Sequence, residues 1–329
     1  MRTTILFGGT NKERLVSVAS AQALHQALPE ADLWFWAVAD TVHEVQSETL
    51  LNHQRPFEDE FKPGSRGVAL EAALDRAKAE DRLLVLGLHG GRAENGELQA
   101  MCELRGIPFT GSGSASSYLA FDKVAAKRFA ALAGVTATAG IAVEDIEEAF
   151  LKYGKLIAKP ARDGSSYGLI FVNAKQDLIA VRNAAKTEEY VIEPFISGIE
   201  ATCGVLEQSD GSVFSLPPIE IVPAEGGFDY TAKYLLKSTQ EICPGRFSPE
   251  ISAQLMDYAL RAHRALSCSG YSRTDFIVSA KGLVYLETNT LPGLTAASLY
   301  PKALKAQGID FADFLRDQIA IAERRARAR

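Results

Sequence analysis

Gly270-Tyr271-Ser272-Arg273-Thr274-Asp275-Phe276-Ile277-Val278, a short Ser279-Ala280-Lys281-Gly282 link, then Leu283-Val284-Tyr285-Leu286-Glu287-Thr288-Asn289-Thr290-Leu291-Pro292-Gly293-Leu294-Thr295: this stretch decides the fold. Two apolar runs around a Gly-containing link predict a β-hairpin. Along a strand, side chains alternate between faces. Asp275 therefore projects to one face, and Glu287 and Asn289, two residues apart, share a face of the return strand. If those faces coincide, three oxygen donors converge. A small set of hard oxygen donors suits Mg2+, which keeps part of its water and binds substrate phosphates. The competing reading is an ordinary edge hairpin with solvated charges. For an isolated aspartate and a Glu-x-Asn pair the two readings are evenly matched.

Composition sets the outer limits. At 329 residues the chain has room for two or three domains with substantial cores. Its formal net charge of -6 argues against a nucleic-acid binder, whose footprint would be basic. The run Arg324-Arg325-Ala326-Arg327-Ala328-Arg329 is too short to reverse this and reads as a solvated helix end. Cys102, Cys203, Cys243 and Cys268 show neither metal spacing nor a disulfide framework, which fits a reducing cytosol. The first strand meets Gly8-Gly9 too soon for a signal peptide, and no apolar run approaches membrane length. The expectation is a cytoplasmic protein with no nucleic-acid or membrane partner.

Upstream of the hairpin the chain alternates strand and helix. Residues 3–7, 33–38 and 82–88 read as strands, and 12–28 and 68–79 as helices. That alternation predicts an α/β domain with a largely parallel sheet, and residues 42–67 read as an irregular connection. His89 stands at the C-terminal end of the third strand, where open α/β sheets bind ligands; a lone histidine there is as readily a structural one. A long helix is expected over about 116–132, carrying Asp122, Lys123 and Lys127. Strand 156–160 carries Lys159 near its end, and the Gly164-Ser165-Ser166-Tyr167-Gly168 loop leads to strand 169–172. Such a loop lets backbone N–H groups approach phosphate, but lacks Walker A spacing and does not open a helix. Strands follow at 200–205 and 215–222, then a polar loop with Lys233 and Tyr234, and a helix over 249–267.

Taken together, five ordered motifs resemble the D-alanine–D-alanine ligases, an ATP-grasp family, from Gly8 to about Phe314. They are Gly8-Gly9-Thr10-Asn11-Lys12-Glu13; His89-Gly90 through Glu94; Thr110-Gly111-Ser112-Gly113 with Asp122-Lys123; Lys159-Pro160 through Gly168; and Arg273-Thr274-Asp275 with Glu287-Thr288-Asn289. The departures are Ala93 for a glycine, Asn95 for an aspartate, Thr288 for a valine, and Pro194. The resemblance implies an α/β protein of ATP-grasp fold in three parts. These are an N-terminal Rossmann-like α/β domain (1–110), a central lid (111–192) and a C-terminal α+β catalytic domain (193–329).

It also implies roles. Asp275, Glu287 and Asn289 would hold two Mg2+ (or Mn2+). Lys123, Lys159, Ser166 and Lys233 would contact the ATP phosphates, Glu193 and Ile196 the adenine, and Glu200 the ribose. Arg273 and the Gly293 N–H would stabilise an oxyanion. Glu13, Ser165 and Tyr234 would latch the closed site, and Glu13 would also hold the first substrate's ammonium. His89, Ser298 and Leu299 would contact substrate. The implied activity is ATP-dependent joining of two D-alanines through an acyl phosphate, for peptidoglycan. The alternatives are a ligase of the same chemistry for other amino acids, or a grasp-fold nucleotide sensor without turnover. D-alanine and ATP are the expected partners, with a homodimer as the one protein association entertained.

Overall fold

In the computed structural model, which describes residues 1–162, 164, 168–223 and 239–328, three sheets follow one another along the chain. The first contains β1 (Arg2–Gly8), β2 (Asp32–Trp36), β3 (Thr41–Val45), β4 (Val68–Ala69) and β5 (Arg82–Leu88), in the order β4-β3-β2-β1-β5. β1 pairs in parallel with both β2 and β5, so it lies inside the sheet, and with a core on each face it reads as a continuous apolar run. Its side chains divide accordingly. Ile5 and Phe7 enter one core, whereas Leu6 enters another with Trp34, Trp36 and Leu86. The sheet is parallel at its centre, but β3 and β4 add antiparallel edges. They correct the irregular connection expected over 42–67, which also contains a helix, Ser47–Leu51. β4 has only two residues, too few for periodicity to mark, and β3 forms a hairpin with the preceding β2.

The second sheet has three antiparallel strands, β6 (Leu156–Pro160), β7 (Ile170–Val172) and β8 (Tyr190–Pro194), in the order β7-β6-β8. Helices Ile146–Tyr153 and Leu178–Ala184 give it a small core of its own, including Ile146, Ala158, Val172, Val181 and Ile192.

The third sheet contains β9 (Ile199–Glu207), β10 (Val213–Ser215), β11 (Ile219–Val222), β12 (Gln240–Ile242), β13 (Tyr271–Ser279) and β14 (Gly282–Asn289). Its order is β12-β11-β9-β13-β14, with β10 on β9 and every pair antiparallel. The strand expected over 215–222 is thus two strands. The hairpin β13–β14 forms one edge of this sheet, but it is packed into a core rather than solvated. Phe276 and Tyr285 are fully buried and share a core with Val205, Ala126, Ala130, Leu255 and Ala259. The last two come from helix Pro249–Ala265, capped by Ser248 with proline at its first position.

The long helix expected over 116–132 is two helices, Ser114–Phe121 and Lys123–Leu132. Asp122 breaks them. Its backbone is extended (φ -84°, ψ 104°), and its carboxylate accepts from Val124 N (3.0 Å) and Ala125 N (2.9 Å). Aspartate is a preferred N-cap for this reason. The break places Lys123 at the first turn of a new helix. Among the described residues no helix is long and apolar enough to cross a membrane.

Candidate active site

A cavity of about 290 Å³ lies between the second and third sheets. Lys123, Lys159, Glu193, Glu200, Asp275 and Glu287 supply its charged lining, and Ile157, Phe171, Phe195, Ile277 and Leu286 much of its apolar lining. On the hairpin side, Asp275 and Glu287 are direct cross-strand partners, just before a register shift at Phe276. Arg273 grips Asp275 in a fork, Nε to Oδ1 at 3.0 Å and a terminal nitrogen to Oδ2 at 2.9 Å. Thr202 Oγ1 adds a donor at 2.6 Å. Lys123 Nζ stands 3.6 Å from Glu287 Oε2. Thr288 points to the other face, where its hydroxyl meets Thr274 (3.0 Å) and Tyr285 (3.0 Å) in the core. A threonine in place of valine is satisfied there.

Of the three oxygens expected to converge, the two carboxylates oppose each other, whereas Asn289 turns its amide nitrogen to Asp275 Oδ2 (3.1 Å). A carboxylate attracts donors, and a half-turn of the amide would present the oxygen instead. Among the described residues no three His, Cys, Asp or Glu side chains gather as a metal cage. Two carboxylates and an amide make an oxygen-only set that fits a divalent cation completed by water and phosphate.

The lid side holds charge differently. The Glu193 carboxylate is 3% exposed, in an ion pair with Lys127 and 2.9 Å from Lys159 Nζ. Thr138 Oγ1 donates to it at 2.8 Å and accepts from Lys127 Nζ at 2.9 Å. Burial lowers both ammonium groups, Lys159 to about 8 and Lys127 well below its usual range. Glu193, expected beside an adenine, lines the cavity and pairs its side chain with two lysines at that end. Lys127 is the site residue that the sequence reading passed over. The signal was there, since four residues after Lys123 on a helix is the same face.

The edge of β8 suits a flat polar ring. Phe195 N bonds back to Lys155 O (3.0 Å), so residue 194 turns its own N and C=O away from β6. Ile192 has the same outward sense, and its C=O accepts from Ile141 N at 2.8 Å. The next outward acceptor is Pro194 C=O, at the cavity wall. Proline therefore removes no ladder bond, and Ile196 and Glu200 follow along the same wall.

The N-terminal sheet delivers its residues from the C-terminal ends of β1 and β5. Glu13 is 9% exposed, and Asn11 fixes the turn by accepting from Glu13 N (3.0 Å) and donating to His89 O (2.7 Å). Gly90 has φ +62°, and a Cβ there would lie 1.9 Å from Glu13 Oε2. Only glycine permits that approach. A Cβ on Gly164 would lie 3.1 Å from the same oxygen, so the lid loop also reaches Glu13. His89 is buried, with Nδ1 3.0 Å from Leu291 O and Nε2 2.8 Å from Ser20 Oγ. Burial lowers its pKa and raises that of Glu94, the latter further by the charge of Glu13. The departures around it are accommodated. Ala93 is a buried member of the helical turn Gly91–Glu94, and Asn95 Oδ1 accepts from Glu97 N (3.0 Å), as an aspartate would.

Ser298 Oγ lies against Gly293, where an added Cβ would come within 2.7 Å, and bonds Thr295 Oγ1 at 2.7 Å. Leu299 opens helix Leu299–Ala306 and packs on the core. Ser165, Ser166, Lys233 and Tyr234 lie outside the described residues.

Comparison with known proteins points one way. Residues 2–112 match the family described as D-ala D-ala ligase N-terminus, and residues 127–320 that described as D-ala D-ala ligase C-terminus. The chain is 34% identical to a D-alanine–D-alanine ligase of Syntrophobacter fumaroxidans over 98% of its length and 97% of the relative's. It is 37% identical to one of Oleidesulfovibrio alaskensis, covering 94% and 93%. Among solved structures, the VanG D-Ala:D-Ser ligase of Enterococcus faecalis superposes with a TM-score of 0.78 at 30% identity, covering 98% and 99%. The D-alanine-D-alanine ligase of Coxiella burnetii, at 23% identity, shares the fold with a TM-score of 0.81 over 100% and 95%.

Proposed function

Because the chain belongs to the D-alanine–D-alanine ligase family, we infer that the cavity between the hairpin and the lid is where ATP and D-alanine react. The chain is an ATP-dependent ligase of ATP-grasp fold, joining two D-alanines for peptidoglycan synthesis and using a divalent metal. The observation that carries the site assignment is Asp275 opposite Glu287, with Lys123 and Lys159 lining the same cavity.

Adenine would lie against Pro194 C=O and Ile196, with Glu200 at the ribose hydroxyls. Lys123 and Lys159 would neutralise phosphate charge, joined by Ser166 and Lys233. Two Mg2+ would be held by Asp275, Glu287 and Asn289, offsetting the charge that develops during phosphoryl transfer to a carboxylate. Glu13 would hold the ammonium of the first D-alanine, with His89 at the same turn, and Ser298 and the backbone of Leu299 the carboxylate of the second. The amine of the second D-alanine, having given up a proton, would attack the acyl carbon, and collapse of the tetrahedral intermediate would break the C–O bond and release inorganic phosphate. Arg273 and the Gly293 N–H would stabilise the resulting oxyanion. Glu13, Ser165 and Tyr234 would close the site against water. Positioning of this kind supplies roughly 7–11 kcal/mol of a barrier.

The division at 110 and 192 and the homodimer belong to the same proposal. Mixing the protein with ATP, Mg2+ and D-alanine, with D-serine and D-lactate offered in parallel, tests the assignment. D-alanyl-D-alanine should dominate by mass spectrometry, with ADP released in step. A dominant mixed product would reassign the second substrate, and no ADP would overturn ligase turnover.

A further inference from the structure

Glu94 plays no part in the chemistry set out above, yet it makes the most direct link between the N-terminal sheet and the loop after β14. Its Oε1 accepts from Thr290 N (3.0 Å) and Leu291 N (3.1 Å), and its Oε2 from Gly90 N (3.1 Å). Leu291 is gripped from its other end too, its C=O lying 3.0 Å from His89 Nδ1. His89 is itself fixed by Ser20 Oγ at its second nitrogen (2.8 Å). With Nδ1 donating to a carbonyl, Nε2 is left to accept from the serine hydroxyl. One peptide segment is therefore held by donors and acceptors nearly 200 residues away in sequence.

The length of chain beyond this clamp matters. Only Pro292 separates Leu291 from Gly293, and a proline fixes its own φ. Ser298 packs against Gly293 from the other side. Little slack remains between the Glu94 carboxylate and the Gly293 N–H. We propose that Glu94 is a positioning residue, which fastens the Thr290–Gly293 backbone to the N-terminal sheet and so aims the Gly293 N–H at the reacting carbonyl. The proposal rests on the reading of Gly293 as an oxyanion donor. A carboxylate fits this task because it accepts three backbone N–H groups at once. No other charge-bearing side chain is required to move for it to act.

The test compares wild type with Glu94→Ala and Glu94→Gln, measuring kcat for ADP release with D-alanine and, separately, the Kd for ADP. Glu94→Ala should lower kcat by about 10²–10³-fold, the scale of losing one oxyanion donor, while the ADP Kd changes less than about twofold. Glu94→Gln keeps the volume and one oxygen facing Thr290 and Leu291, but meets Gly90 N–H with an NH2 group. It should recover at least about tenfold of the loss and remain below wild type. If the alanine variant does not fold, judged by circular dichroism, the glutamine variant decides alone. Wild-type kcat in either variant would overturn the proposal, as would equal losses in kcat and ADP affinity. Wild type that releases no ADP with D-alanine would instead overturn the ligase reading.

Discussion

The hairpin β13–β14 and the lid sheet β6–β8 face one cavity but hold their charges in opposite ways. On the hairpin, Asp275 and Glu287 are 19% and 29% exposed, and their partners include the side chains of Arg273, Thr202, Asn289 and Lys123. In the lid, Glu193 is buried between Lys127 and Lys159, with Thr138 completing the set. The hairpin is rooted in a core that gathers residues from three helices and three strands, whereas the lid has a small core of its own. The difference teaches a division of labour. Half-exposed carboxylates can exchange protein cations for a metal without unfolding anything, whereas a buried carboxylate with two ammonium partners is costly to disturb.

Four variants would break or sharpen that comparison. The largest effect is expected from Glu287→Gln, which keeps shape and removes charge. Turnover should fall by about 10³-fold or more, with the thermal midpoint nearly unchanged. Undiminished ADP release at limiting Mg2+ would remove Glu287 from the metal set. Arg273→Ala comes next, with about 2.7–4 kcal/mol lost from the chemical step and a smaller effect on nucleotide binding. Because Arg273 also grips Asp275, an equal loss in Mg2+ affinity would show that its main task is to orient that carboxylate.

Lys127→Met should reverse the pattern, destabilising the protein more than it slows it. Removing one partner of a buried pair costs about 3–5 kcal/mol, and the surviving Lys159 should keep the loss at the lower end or below. Chemical denaturation measures it. A variant of unaltered stability with much weaker ATP binding would make Lys127 a phosphate contact.

The smallest effect concerns pH. Burial draws Lys159 down to about 8, so the free protein loses this charge as pH rises through that value. A phosphate favours the charged form, so binding above that pH takes up a proton. ADP affinity should therefore weaken by up to about tenfold per unit above pH 8. Lys159→Arg, charged throughout, should flatten the profile. A flat wild-type profile would mean that Lys159 does not contact the phosphates.

Much of this molecule was legible as strings of residues. Two apolar runs around a Gly-containing link forecast the hairpin that carries Asp275 and Glu287, and strand–helix alternation in the first 88 residues forecast the α/β domain. Gly90 is visible in the sequence as a glycine after a strand, but the approach that requires it is to the side chain of Glu13, far earlier in the chain. The weak elements were less visible: β4 has only two residues, and β3 is defined by its pairing with its neighbours β2 and β4. The Asp122 break was legible in principle, since aspartate before a helical run is an N-cap signal, but the flanking alanines argued for continuity.

What tertiary structure alone decided is which charges meet. No spacing rule could bring Lys127, on a helix packed against the third sheet, to a glutamate on β8 of the second. Nor could any connect Glu94 to Thr290 and Leu291, some 196 residues later. Local propensity acts over a few residues and fixes which way a side chain points. Partnership between distant charges depends on how whole sheets dock, and that depends on burial summed over the entire chain.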